Sequence, residues 1–155
     1  MKVQSSSRAQ PPALEVAAGL ERLFALLRWV SPPGLSFTAG ATLGTLERRG
    51  PCRLTALAAI EGVTQPAMTQ LVARLADSGL VARCADPDDG RVVQVQLTEE
   101  GRDLLARRRA VRAQRLSVLM ARLSPADQDA LAAALPAITA LASLQRDDQL
   151  SPPAA

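Results

Sequence analysis

At 155 residues the chain has room for one domain with a real core and not for two large ones. With no histidine and only two cysteines, Cys52 and Cys84, it has too few ligands for a zinc site, and it lacks the usual general base and any Ser/His or Cys/His nucleophile pair. The net charge of +3 suits a polyanionic partner, and because Lys2 is the only lysine, the placement of arginines is the signal to follow.

Aromatics make up 2% of the chain, so the core has to be built from Leu, Ala and Val, a composition that favours helices. No apolar run reaches bilayer-spanning length, and the start MKVQSSSRAQPP has no hydrophobic middle of a secretory signal. The chain reads as cytoplasmic, without cofactor or metal and not as an enzyme.

Residues 1–12 are polar and end in Pro-Pro, which predicts a disordered arm. From Ala13 to about Val30, Leu14, Leu20, Leu23, Phe24, Leu27 and Val30 recur at helical spacing, and Ser31-Pro32-Pro33-Gly34 breaks the helix. A second helix is expected from about Thr38 to Arg49, followed by an extended connector, Pro51 to Leu54, that suits a minimal strand.

Thr55 to Leu97 organises the rest. Thr55 and Thr64 stand where helix caps belong, with Gly62-Val63 as the turn between two periodic runs. The third helix, Thr55 to Glu61, buries Leu57, Ala58 and Ile60. In the fourth, Gln65 to Ser78, Met68, Leu71, Val72 and Leu75 form one apolar stripe. Pro66, Gln70, Ala73 and Asp77 lie opposite, flanked by Thr69 and Arg74. Gly79 then ends the helical pattern and two strands follow, joined to each other by the turn-forming Asp86-Pro87-Asp88-Asp89-Gly90; in the second, Val93, Val95 and Leu97 alternate with glutamines at strand period. A helix-turn-helix followed by a two-stranded ribbon is a winged helix.

Thr98 caps a long helix running to about Leu123, with Glu99 and Glu100 in its first turn. Its arginines, Arg107, Arg108, Arg109, Arg112 and Arg115, read as a solvated or salt-bridged face, with phosphate tracking or pairing to Asp127 or Asp129 as alternatives. Ser124-Pro125-Ala126-Asp127 starts a last helix, to about Leu144, in which Pro136 predicts a kink. Residues 146–155 read as a disordered tail.

A helix that reads the major groove presents its N-terminus and short polar side chains to the bases and basic groups to phosphates. Thr64, Gln65, Thr69 and Gln70 supply the first and Arg74 the second; glutamine can pair bidentately with adenine and a threonine methyl can pack on thymine. In the wing, Asp89 beside Arg91 reads either as a carboxylate that orients the arginine toward a narrow minor groove or as an incidental surface ion pair on a tight hairpin, and taken alone the second is favoured.

The motifs Leu54-Thr55-x-Leu57-Ala58, Val63-Thr64-Gln65-x-x-x-Thr69, Leu75-x-x-x-Gly79-Leu80-Val81 and Asp89-x-Arg91-x-x-x-x-x-Leu97-Thr98-x-x-Gly101 resemble the MarR (multiple antibiotic resistance regulator) family of winged-helix transcription factors, and the likeness covers about residues 13–145. The last motif is the most specific. The resemblance implies a mainly α fold with a small antiparallel β-wing, in the order helix, helix, short strand, helix, helix, strand, wing, strand, helix, helix. It divides the chain into a winged-helix lobe at 36–101 and dimerisation helices at 13–31 and 102–145 of an obligate homodimer.

It further implies a repressor that binds double-stranded DNA at a pseudo-palindromic operator, using Thr64, Gln65, Pro66, Thr69, Gln70, Arg74, Asp89 and Arg91, and that releases it when a small effector binds. Gly90 departs from the pattern, because many members carry a second arginine there. An effector pocket is expected to be mainly aliphatic, around Leu23, Leu27 and Trp29, although Trp29 reads more readily as dimer core. Two alternatives are a winged-helix module that binds a protein instead of DNA, and a redox sensor in which Arg53 lowers the pKa of Cys52.

Overall fold

The computed structural model describes residues 13–85 and 93–150, with side chains as far as residue 144. The expected arm at 1–12, the end of the tail and the wing tip at 86–92 lie outside the described residues. Among the described residues, six helices and three strands follow in the order α1 (Ala13–Val30), α2 (Phe37–Arg49), β1 (Cys52–Arg53), α3 (Leu54–Ile60), α4 (Gln65–Asp77), β2 (Val81–Ala85), β3 (Val93–Leu97), α5 (Glu99–Met120) and α6 (Pro125–Leu150).

The expected connector strand is present. β1 and β2 both pair antiparallel with the central β3, Cys52 opposite Val95 and Cys84 opposite Gln94. The core fills the space between α2, α3, α4 and this sheet, with Leu43, Leu46, Leu57, Met68, Val72 and Val95 all but sealed from water. The four positions of the α4 stripe, Met68, Leu71, Val72 and Leu75, are all buried, as their spacing requires.

Two glycines shape the helix-turn-helix. Gly62 (φ 63°) and Gly79 (φ 71°) adopt the left-handed backbone that terminates α3 and α4. In each case the glycine amide bonds back to Ala59 or Ala76, and the next amide, of Val63 or Leu80, reaches the carbonyl of Ala58 or Leu75. This paired closure satisfies the last carbonyls of each helix and folds an apolar residue back onto it.

Several boundaries differ from the sequence expectations. Arg53, not Thr55, occupies the cap position of α3 and makes no side-chain cap bond, so Thr55 lies inside the helix. α5 ends at Met120 and not Leu123, while α6 passes through Pro136 as one element and continues to Leu150, into the segment expected to be a tail. The Ser124 start signal holds: its hydroxyl accepts from the Asp127 amide and donates to the Asp127 carboxylate.

Candidate nucleic-acid interface

Thr64 caps α4, its hydroxyl accepting from the Ala67 amide at 3.4 Å. Beyond it, Gln65, Pro66, Thr69, Gln70 and Arg74 are all exposed. The burial of the opposite stripe leaves this row facing solvent together with the amide-rich positive end of the helix dipole. The Thr69 hydroxyl donates to the Gln65 carbonyl at 2.9 Å. With its hydrogen held on the backbone, Thr69 offers a partner its methyl group and an acceptor oxygen.

Asp89, Gly90 and Arg91 fall outside the described residues. On the described part of the ribbon, Arg83 of β2 is an exposed cation. Sequence reading passed over it, because an isolated arginine in a strand carries no local mark of use.

The position of α4 is fixed from two sides. At its start, the buried Thr45 hydroxyl of α2 donates to the Glu61 carboxylate at 2.7 Å and accepts from Arg48 at 3.2 Å, tying the turn before α4 to α2. At its end, the Thr98 hydroxyl donates to the Gly79 carbonyl at 2.7 Å while accepting from the Gly101 amide at 3.1 Å. Gly101 is required there: a Cβ would lie 2.6 Å from Leu97 Cδ1 and closer still to the Leu80 carbonyl oxygen.

The α5 arginines bear out the salt-bridged half of the expected solvated or salt-bridged face at Arg107 and Arg109, and add backbone contacts that were not expected. Arg108 donates to the carbonyls of Pro33 and Pro32 at 3.0 and 2.8 Å, and Arg115 reaches those of Val30 and Ser31 at 3.3 Å. Arg109 forks onto both oxygens of Glu47 on α2, and this pairing holds the Glu47 carboxyl below its ordinary pKa. Arg107 meets Asp103 at 4.0 Å, and Asp127 is engaged with Ser124. These contacts strap α5 to the α1–α2 turn and to α2.

A cleft of about 870 Å³ opens beside those straps, between the end of α1, the following turn, α2 and α5. Leu27 lines it, whereas Leu23 and Trp29 do not, and Trp29 is 67% exposed. The wall is not mainly aliphatic: arginines from α1, α2 and α5 reach it, and Phe24 and Phe37 meet edge to face there at 4.7 Å.

Cys52 departs from the redox expectation. Burial raises its pKa, opposed by Arg49 and not by Arg53, and its thiol is hydrogen-bonded to the Gly50 carbonyl at 3.4 Å. Cys52 and Cys84 flank β3 from opposite sides, about two strand spacings or ~9.6 Å apart, beyond the Cα reach of a disulfide. Among the described residues no helix is long and apolar enough to cross a membrane.

Comparison with known proteins places this geometry in context. The family model described as MarR family matches residues 35–93. The HTH-type transcriptional regulator MT0903.1 of Mycobacterium tuberculosis is 35% identical over 130 residues, covering 83% of this chain and 91% of that protein. The crystal structure of RV1404 from Mycobacterium tuberculosis superposes with a TM-score of 0.76 at 25% identity, over 87% of this chain and 97% of the other. Bordetella bronchiseptica BpsR, whose DNA binding is regulated by 6-hydroxynicotinic acid, shares the fold with a TM-score of 0.57 at 23% identity, over 85% and 95%.

Proposed function

This chain belongs to the MarR family of winged-helix, DNA-binding transcriptional regulators, and from that premise we propose that it is a ligand-responsive repressor acting as a homodimer on a pseudo-palindromic operator. The observation that carries the reading is the two-sided build of α4, with its apolar stripe in the core and Thr64, Gln65, Pro66, Thr69, Gln70 and Arg74 exposed. In this reading two copies of α4 enter major grooves about one helical turn apart, ~34 Å. The glutamines and the Thr69 methyl contact base edges, and Arg74 meets a phosphate. Arg91, oriented by Asp89, reaches the minor groove.

Dimerisation is supported by the apolar faces left open at the ends of the chain. Leu14, Leu20 and Leu23 of α1 and Leu131, Leu135, Ile138, Leu141 and Leu144 of α6 are all exposed in one copy. A set of that extent on a single chain calls for a partner, and a twofold axis lets one face cover its own equivalent. The regulation of BpsR by a small molecule supports an effector here, with the cleft at α1, α2 and α5 as its seat.

Selection of bound sites from random duplex, followed by gel shift and sedimentation, tests the whole reading. The expected result is a two-half-site motif bound by a dimer, with affinity that falls steeply as salt rises through counterion release. Arg91→Ala should weaken binding by about 1–3 kcal/mol. Equal binding to every duplex, or a monomer at working concentration, would refute it.

A further inference from the structure

A polar chain crosses the lobe from α2 to the turn ahead of α4, and it passes through one buried hydroxyl. Thr45 is 3% exposed, set among the side chains by which α2 fills the core. Its hydroxyl donates to Glu61 Oε1 at 2.7 Å and accepts from Arg48 Nη2 at 3.2 Å. Arg48 lies across Gly44, its Nη1 only 3.1 Å from where a Cβ on that residue would stand, so the glycine leaves the guanidinium its place. Glu61 ends α3, Gly62 turns the chain, and Thr64 caps α4.

Stability alone does not call for a hydroxyl at position 45. A valine would fill much the same volume with no polar atom to satisfy. Arg48 is exposed and Glu61 half-buried, so water can take both partners when the hydroxyl is gone, and little is lost. What the hydroxyl adds is geometry. Bonds to a carboxylate and a guanidinium are short and directional, and a buried, fully paired network admits one arrangement where apolar packing tolerates several. Gln65 follows Glu61 by four positions, so a shift of the turn reaches the start of α4 undiminished. A bidentate base contact tolerates about 0.5 Å of misplacement, whereas Arg74, a long side chain further along the helix, can follow a phosphate by changing rotamer.

We propose that Thr45 and Glu61 are positioning residues for base readout. Their bond sets the height and angle of the α4 N-terminus, and with it the preference for an operator over other DNA, while the phosphate contacts are left alone. Thr45 is sealed in the core and has no surface to offer DNA, so it acts through the exposed Gln65, Thr69 and Gln70 of α4. The inference rests on the sequence-specific binding proposed above and adds which residues aim the reading helix.

The test measures binding of the full-length chain and its variants to the operator found by site selection and to a scrambled duplex, over a range of salt. Thr45→Val should lose about tenfold or more in operator affinity and keep its Tm. Its affinity for the scrambled duplex, and the slope of log affinity against log salt, should not change, because the same phosphates are met. Thr45→Ser keeps the hydroxyl and should stay within about threefold of the parent. Glu61→Gln keeps an acceptor for that hydroxyl and should do the same. Glu61→Ala should match Thr45→Val, and the two together should lose no more than either alone.

A loss in Thr45→Val that Thr45→Ser does not restore overturns the positioning role, and so does a loss shared equally by operator and scrambled duplex. Full additivity of Thr45→Val and Glu61→Ala overturns the bond between them as its cause. If Thr45→Val melts early, Glu61→Ala against Glu61→Gln, at the half-buried partner, carries the comparison by the same criteria. A parent that prefers its operator, with variants that keep the preference, removes this inference alone. A parent with no preference between the two duplexes removes the proposed function and this inference with it.

Discussion

The lobe built from α2 to β3 and the helices at the two ends of the chain satisfy their apolar residues in opposite ways. Among the described residues, every buried hydrophobic residue except Val30 and Leu105 lies between Ala39 and Leu97. Of the large exposed hydrophobics among the described residues, all but Phe37 and Val93 lie between Leu14 and Trp29 or between Leu116 and Leu144. One region closes its own core, and the other leaves its surface for something outside the chain. In the proposed dimer, the lobe that meets DNA is thereby separated from the surface that would pair the two copies.

The largest effect should come from spoiling the open face. Leu135→Glu with Ile138→Glu should abolish dimerisation in sedimentation and weaken operator binding by about a hundredfold or more, because bivalent engagement is lost. The melting of the α2–β3 lobe should survive at high protein concentration. If the lobe unfolds with the face, the contrast between the regions fails. Next, Leu57→Ala, at a residue with no exposed surface, should cost about 2–5 kcal/mol in denaturant unfolding. Leu141→Ala, on a half-exposed α6 site, should act chiefly through a concentration-dependent Tm.

A smaller effect belongs to the joint between the regions. Gly101→Ala forces a Cβ against the Leu80 carbonyl, and overpacking of this kind costs about 1–3 kcal/mol. The smallest concerns the Glu47–Arg109 strap, whose members are 27% and 50% exposed, so Glu47→Gln should cost less than about 1 kcal/mol. Its pH signature has a definite sign. The folded pKa of Glu47 lies below the unfolded value, so the contribution is complete above the unfolded value and is lost as pH falls through the folded one. Comparing acid denaturation of Glu47→Gln with the parent checks this.

The sequence showed the lobe more clearly than the ends. The α4 stripe, the Thr64 and Thr98 caps and the turns at Gly62 and Gly79 were legible, because each rests on residues a few positions apart. Thr55 misled because a threonine at a helix start is only a permission to cap, and the chain enters α3 directly from β1. The role of the α5 arginines was not legible. Arg108 bonds to carbonyls at Pro32 and Pro33, and no local pattern announces a backbone acceptor so distant in the chain. The charged cleft was missed for the same reason, since its arginines come from three helices that only folding brings together.

The Thr98 hydroxyl has a mechanical meaning. It stands between the Gly79 carbonyl just past α4 and the Gly101 amide in the first turn of α5, with Gly101 pressed on Leu80 so that no side chain separates the two helices. Arg108 stands two turns further along α5, about 10 Å away. The Thr98–Gly101 elbow therefore fixes the direction in which α5 leaves the winged-helix lobe.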